Sequence, residues 1–484
     1  MNICFIRPNL GSSFAVSPPL SFGYLSRSLK NYGYRNISFL DAALLQLSAA
    51  QVFEKINNHY RPDIIGIQVY TGAHIWAKQF VSLVKSGKND KIPITVVGGP
   101  HITAFNELAL EFIEADYGIL GEGEKPIVDL VKLLEGKIID PSDVGGLVYR
   151  KNGKYVQSNN NNYGYFEDIN ELSLPDWELL QPQIYFDRFE SATMPLRGKR
   201  PAILLSSRGC PYKCTFCSSG LINKQKIRFR TPENIIEEME FLKSEYKIDE
   251  ILFTDDNLTM DLKRAEKIFD LMISRNIKLH WRAPNGIRVD RLNESLIKKM
   301  RKSGCYSVGV GIETGNDRIM KRIKKQLDLK KVKEKVKLLR KYKISVSGFF
   351  ICGLISETEK EVNDSIKFAL SVPFNRIQVS NYVPYPGSED FKEIFKHEND
   401  KMYRKRIMEF QEYGIIPKYP GVLPLKEVVK LQKRFILKFY LRVTIIFSML
   451  RGLNFKQIKS ILRHPMVKRM LGFHADLFSK PKEN

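Results

Sequence analysis

Short apolar runs separated by amphipathic stretches set the rhythm of the chain. The runs at 2–6, 36–41, 63–69, 93–97 and 116–120 are continuous, whereas 20–31 and 73–85 repeat apolar residues every three to four positions. That alternation predicts buried strands interleaved with helices, and hence a doubly wound parallel α/β sheet covered on both faces. Such sheets bind ligands in the loops at the carboxyl ends of their strands. Three of those loops carry small or polar residues: Thr71-Gly72, Gly98-Gly99-Pro100-His101 and Gly121-Glu122-Gly123-Glu124. Glycine there lets the backbone approach a ligand closely.

The region 144–156 reads as a hairpin turning at Lys151-Asn152-Gly153-Lys154. The polar run 159–162 predicts a linker, and 163–200 a connector of little periodicity. A second alternating series follows. Strands are predicted at 202–206, 250–254, 278–282, 306–312, 345–351 and 376–382, with helices at 232–246, 261–275, 293–303, 328–342 and 358–371. Six β/α units predict a partial (β/α)6 barrel, with its chemistry at the carboxyl ends of the strands. From about 396 the pattern is helical, basic and rich in Phe, Leu and Ile. The expected division is 1–150 for the first sheet, 151–200 for hairpin end and linker, 201–395 for the barrel and 396–484 for the tail.

Composition narrows the class. The 484 residues are 43% hydrophobic and 27% charged, which excludes a mainly disordered, collagen-like or polytopic membrane chain. Six cysteines are too few for a disulfide-stapled secreted scaffold. The start has no signal-peptide pattern. No stretch of about 18 residues is free of charge, and the apolar run 443–450 lies between Arg442 and Arg451. These features predict a cytoplasmic protein with reduced thiols. The net charge of +24 is uneven: residues 1–150 hold 14 basic and 14 acidic residues, while 396–484 hold 20 basic and 7 acidic. A basic tail suits an anionic lipid, a nucleic acid or an acidic substrate, or is a solvated surface.

Three cysteines fall within eight residues, Cys210-Pro211-Tyr212-Lys213-Cys214-Thr215-Phe216-Cys217, just beyond the first predicted barrel strand. A structural zinc site needs four ligands, and the nearest further cysteine or histidine is His280. A disulfide would leave one thiol over. A 4Fe-4S cluster held by three cysteines keeps one iron free for a small molecule, and position and spacing favour that reading.

Cys-x3-Cys-x-aromatic-Cys after a first strand resembles the signature of the radical S-adenosylmethionine (radical SAM) enzymes. The wider match from Arg208 to Cys217 resembles the branch with an N-terminal cobalamin-binding domain, and the resemblance extends over residues 1 to about 390. It implies cluster ligation by Cys210, Cys214 and Cys217, and SAM as cofactor. Thr254-Asp255-Asp256-Asn257 ends the second strand, where the family holds the amino group of SAM; carboxylates suit an ammonium. The segment Gly309-Val310-Gly311-Ile312-Glu313-Thr314-Gly315 resembles the ribose-binding segment, with Glu313 accepting from sugar hydroxyls. The segment Phe349-Phe350-Ile351-Cys352-Gly353-Leu354 resembles the one whose backbone meets adenine, with Phe216 lying against the same ring. Tyr382-Val383-Pro384-Tyr385-Pro386-Gly387 resembles the loop closing the sixth strand.

In the first domain the resemblance implies cobalamin contacts at Thr71, Gly98, Gly99, His101, Gly121, Glu122 and Gly123. The Asp-x-His-x-x-Gly motif of methionine-synthase-type domains is absent, so His101 is either a cobalt ligand or a locally bonded loop histidine. Cys4, Cys305 and Cys352 fall on strands and are expected in the core.

The resemblance implies that reductive cleavage of SAM yields a radical which removes hydrogen from an unactivated carbon, and that methylcobalamin then supplies a methyl group. Oxidative cyclisation or rearrangement without methyl transfer is the alternative within the family. A nucleic-acid-modifying or nucleic-acid-binding protein is the alternative outside it, supported by charge but lacking an RNA-binding signature. The expected partners are a small-molecule or lipid substrate and an external electron donor. The tail residues Val428-Val429, Leu431, Phe435-Ile436, Phe439-Tyr440, Val443 and Ile446-Phe447 form one apolar helical face among lysines and arginines. That face either covers the barrel or makes a peripheral membrane contact.

Overall fold

The computed structural model describes residues 1–9, 17–87, 91–159, 163–188, 196–396, 421–443 and 445. The first sheet has seven strands: Ile3–Arg7 (β1), Ile37–Asp41 (β2), Ile64–Gln68 (β3), Ile94–Gly98 (β4), Tyr117–Ile119 (β5), Leu147–Lys151 (β6) and Lys154–Gln157 (β7). Their order is β2-β1-β3-β4-β5-β6-β7. The first five are parallel, and the hairpin β6–β7 extends the sheet antiparallel from β5. Ile3, Phe5 and Ile64 face the helices Leu20–Asn31 and Glu124–Leu134, while Cys4, Ile6, Ile65 and Ile67 face His74–Ser86 and Glu107–Ile113. Burial on both faces is why these strands read as continuous apolar runs. The strand order reverses between β1 and β3, the switch point where such sheets open a crevice at their carboxyl edge.

The second sheet comprises Pro201–Leu204 (β8), Glu250–Phe253 (β11), His280–Ala283 (β12), Cys305–Glu313 (β13), Ser345–Cys352 (β14) and Arg376–Asn381 (β15), parallel and in sequence order. A short antiparallel ribbon, Ser207–Arg208 (β9) with Arg228–Phe229 (β10), follows β8. No pairing closes β15 onto β8. Five helices cover the outside: Pro232–Tyr246, Leu262–Ser274, Glu294–Lys302, Leu329–Lys341 and Glu359–Ser371. Each starts at a polar residue, Thr231, Asp261, Asn293, Asp328 or Thr358, whose side chain accepts from a first-turn backbone N–H. Outward-pointing Phe253, Trp281, Val310, Val346 and Phe350 pack against them.

The connector wedges between the two sheets. Trp177 is buried and donates from Nε1 to Glu238 Oε1 (2.9 Å), and Tyr185 donates to Asp41 Oδ2 (2.6 Å).

The tail helix Leu425–Tyr440 covers the open edge at β15. Val428, Leu431, Phe435 and Phe439 are buried in the barrel's core cluster. Gln432 Nε2 donates to the Val379 carbonyl (2.7 Å), and the Tyr440 hydroxyl donates to the Ile377 carbonyl (2.8 Å) and accepts from Ile377 N–H (3.2 Å). Side chains thus satisfy an edge that would otherwise present free backbone groups. Of the two roles expected for this face, covering the barrel is the one that Val428, Leu431, Phe435 and Phe439 fill, while Val443 stays exposed. Ile446-Phe447 and the rest of the tail lie outside the described residues. Among the described residues no helix is long and apolar enough to cross a membrane.

Candidate active site

The cysteine loop leaves the ribbon at the carboxyl end of β8. Gly209 makes this possible: its φ is +89°, and a Cβ there would lie 2.1 Å from the Lys226 carbonyl. The loop's middle is fastened through buried Thr215. Its N–H donates to the Ile323 carbonyl (3.2 Å), its carbonyl accepts from Asp390 N–H (2.9 Å), and its hydroxyl accepts from Arg322 Nη1 (3.1 Å). The thiols stay accessible: Cys217 is exposed, Cys210 and Cys214 are partly so, and none is in a disulfide. Burial raises the pKa of all three, while the Lys325 ammonium opposes this at each. Three accessible thiols on a pinned loop are a donor set that fits an iron-sulfur cluster. Cys4, Cys305 and Cys352, by contrast, are buried in the cores.

The acidic pair after β11 divides. Asp255 is 1% exposed and accepts from the Ser206 and Ser207 hydroxyls (2.6 and 2.5 Å) and from Ser206 N–H (3.2 Å). Burial pushes its carboxyl up. It ties β11 to β8 and does not face the open mouth, which corrects its expected place among the SAM contacts. Asp256 is exposed and accepts from the Ser219 hydroxyl (2.6 Å), next to the loop's last cysteine.

Glu313 ends β13 beyond a register irregularity, with φ of +65°. Its Oε1 accepts from Lys325 Nζ at 2.7 Å. The Lys325 ammonium also lies 5.9 Å from the centroid of the Phe216 ring. Phe216 packs on the cluster formed by Leu354, Ile355 and Tyr382, and so meets the segment after β14. There Gly353 N–H and Leu354 N–H both donate to Glu357 Oε2 (2.8 and 3.2 Å). Sequence reading missed Lys325 and Glu357. Lys325 ends a basic run, 321–325, that reads as surface. It also missed Arg288, which sits 4.4 Å over the ring of Tyr212 in the cysteine loop and donates to the carbonyls of Lys325 (3.0 Å) and Gln326.

In the first domain, Gly98 and Gly99 end β4 half-exposed, and Gly121 and Gly123 do the same beyond β5. Gly99 has φ of +114°, and a Cβ there would stand 2.9 Å from the Val69 carbonyl. The half-exposed backbone at Gly98 suits the approach of a large flat ligand such as a corrin, whereas Cβ atoms at Gly121 and Gly123 would meet Tyr163 (2.7 Å) and Leu25 (3.0 Å). The other expected contacts turn inward. The His101 ring is fully buried, stacked on His74 at 4.7 Å and edge-on to Phe105. Its Nδ1 lies 3.3 Å from the hydroxyl of Thr71, itself buried, and its Nε2 has no partner. Burial, then the His74 charge, hold it well below the usual imidazole range, so the ring is neutral. A ligand-facing histidine would be accessible without its ligand; this one belongs to an aromatic stack.

Glu122 is likewise committed. Arg228 Nη1 and Nη2 donate to its two oxygens (2.9 and 2.6 Å), and Arg208 Nη1 stands 3.2 Å away. Burial pushes this carboxyl up, and the two guanidiniums bring it below the usual range. Glu124 accepts from Arg208 Nη2 at 2.6 Å. The loop after β5 thus clamps onto the barrel through its carboxylates, gripping the residue two positions before Cys210.

Comparison with known proteins agrees with this arrangement. The B12 binding domain matches residues 6–131, and the Radical SAM superfamily matches residues 204–369. An uncharacterised methyltransferase of Pyrococcus horikoshii is 30% identical over 93% of this chain and 94% of its own. The cytidylyl-2-hydroxyethylphosphonate methyltransferase of Streptomyces wedmorensis is 27% identical over 86% of this chain and 85% of its own. The anaerobic magnesium-protoporphyrin IX monomethyl ester cyclase of Rubrivivax gelatinosus is 28% identical over 86% and 73%. Among solved structures, the radical SAM methyltransferase TsrM of Kitasatospora setae, with cobalamin and a [4Fe-4S] cluster bound, shares the fold with a TM-score of 0.68 at 15% identity, over 91% of this chain and 85% of that one. Two domain matches in the expected order, and a relative alike along nearly its whole length, place this chain in the family of radical SAM enzymes that carry an N-terminal cobalamin-binding domain.

Proposed function

We propose that this chain is a cobalamin-dependent radical SAM methyltransferase acting on a small molecule. The observation that carries the reading is the clamp: Glu122 and Glu124 of the cobalamin-type sheet grip Arg208, which leads into the cysteine loop. A clamp of this kind would hold the two cofactors in one assembly. When bound, the 4Fe-4S cluster supplies the electron that cleaves SAM, and cobalamin carries the methyl group.

The chain's own residues hold and orient. Cys210, Cys214 and Cys217 would hold the cluster, three thiolates being one fewer than a 4Fe-4S cluster ordinarily takes. Asp256 takes the SAM ammonium and Glu313 the ribose hydroxyls, with Lys325 fixing the Glu313 carboxylate (2.7 Å). Phe216 and the backbone at Gly353 flank the adenine. Gly98, Gly99, Gly121 and Gly123 would offer their backbone to the corrin, while the buried His101 ring stays in its aromatic stack. Such a cluster would need an external electron donor.

Oxidative cyclisation is the second reading, favoured by the likeness to the cyclase. Product mass separates the two. Protein reconstituted with iron, sulfide and hydroxocobalamin is incubated with reductant, SAM and host small molecules. The proposal expects a one-carbon gain that requires cobalamin; loss of hydrogen without a carbon gain would replace it with cyclisation.

A further inference from the structure

The interior of the barrel carries polar groups that the cofactor sites do not use. On β14 and β15, Val346, Phe350, Ile377 and Val379 are buried against helices. Strand alternation therefore puts Ser345, Ser347, Arg376, Gln378 and Ser380 on the inner face. On β12, Trp281 and Ala283 point outward and leave Arg282 inside. The parallel register sets Arg282 beside Ser307, Ser307 beside Ser345, and Ser347 beside Arg376. A barrel interior is ordinarily filled by branched apolar residues; this one holds a polar belt.

Its charges do not balance. Arg282 faces Glu250 at 3.6 Å. Glu250 is already occupied by the Tyr306 hydroxyl (2.5 Å) and by Arg197 N–H and Gly198 N–H (2.8 and 2.7 Å). Arg376 has no carboxylate partner among the described residues and remains partly exposed. Beside it, Ser347 is 3% exposed with no partner for its hydroxyl, and the Ser345 hydroxyl is also buried without one. Gln378 and Ser380, higher on the same strand, are exposed although they face inward. Desolvation holds Arg376 below the usual guanidinium range; nearby Tyr440 opposes this, and Arg282 adds to it. Buried hydroxyls left unsatisfied beside a part-buried cation are costly unless a ligand completes them.

We infer that this belt is the substrate floor, and that the substrate carries an anionic oxygen group, a carboxylate or phosphoryl, bound by Arg376 with Ser347 donating alongside. The guanidinium fork matches such groups with two parallel hydrogen bonds. Gln378 and Ser380 line the way from that anchor to the mouth. The inference rests on the reading of the barrel mouth as the reaction site.

Two arms test it. Reconstituted full-length enzyme is titrated calorimetrically with inorganic phosphate. Saturable binding, weakened roughly tenfold or more in Arg376→Gln and less in Arg376→Lys, is expected; the exposed-charge control Lys438→Gln should bind as the wild type does. No saturable binding, or equal affinity in Arg376→Gln, overturns the site. In the second arm, host small molecules are split on an anion exchanger before incubation with enzyme, reductant and SAM. A carbon gain confined to the retained fraction, and lost in Arg376→Gln, is expected; a gain confined to the unretained fraction overturns the substrate class. If neither fraction gains carbon, methyl transfer fails as the reaction, and the phosphate titration still decides the site.

Discussion

Glu313 sits in a left-handed backbone conformation, a region that costs a non-glycine residue about 1–2 kcal/mol. The turn lays its carboxylate over Gly311 and onto Lys325. Both variants Glu313→Gln and Lys325→Met should raise the KM for SAM about tenfold in substrate-independent cleavage, the loss of one charged hydrogen bond. Cleavage kinetics give the answer, and unchanged KM in both would remove the pair from the SAM site. Glu357 supports the neighbouring segment in a different way. It is 2% exposed, its Oε1 has no partner, and burial pushes its carboxyl up to about 7 against two backbone donors. The folded chain thus keeps a proton that the unfolded chain releases near 4.5. Stability contributed by that proton is present below pH 4.5 and is lost as pH rises towards 7, by up to about 3 kcal/mol. Denaturant midpoints of Glu357→Gln and wild type at pH 5 and 8 should diverge in the variant's favour as pH rises; a constant difference would contradict the shift. At this scale the cysteine spacing was legible because three thiols in eight residues have few uses. The division of labour between Asp255 and Asp256 was not, because neighbouring residues point to opposite sides and only the fold says which side is in.

The tail helix shows what an element's pattern can and cannot say. Its apolar face is plain in the sequence, but what covers it is a strand some fifty residues earlier, a long-range contact with no local sign. Phe435 lies 5.0 Å from Phe350 of β14 in the barrel core. Phe435→Ala should cost about 3–5 kcal/mol. Tyr440→Phe, which strips the Ile377 backbone groups of their partner, should cost about 1–3 kcal/mol. Urea unfolding of the full chain measures both, and a cost near zero for Phe435→Ala would mean that the helix does not depend on this contact. The barrel helices were legible to within a residue or two, since each begins at a capping side chain and keeps a clear helical period. The ribbon β9–β10 was not, because two-residue strands carry no period.

Across the whole molecule, each sheet could be read from its own alternation, but not the way the two meet. The loop Gly121-Glu122-Gly123-Glu124 reads as a ligand loop throughout, yet its carboxylates bridge to Arg208 and Arg228. Arg228 is also stacked 3.7 Å from the ring centroid of Tyr165 in the connector. Removing one partner of a buried pair strands the other, so Glu122→Gln should cost about 3–5 kcal/mol. A double-mutant cycle with Arg228→Met, read by urea unfolding, should show coupling above about 1 kcal/mol, and additive losses would deny the clamp.

The central claim is that this chain brings a SAM-cleaving cluster and a cobalamin into one site. The most direct test needs no substrate. Enzyme reconstituted with iron, sulfide and hydroxocobalamin is incubated anaerobically with reductant and SAM bearing a trideuterated methyl group, and the protein-bound cobalamin is extracted and weighed by mass spectrometry. The account predicts that the deuterated methyl group appears on the cobalamin of the wild-type enzyme. Cobalamin that stays bound but unlabelled, while SAM is cleaved, would contradict it.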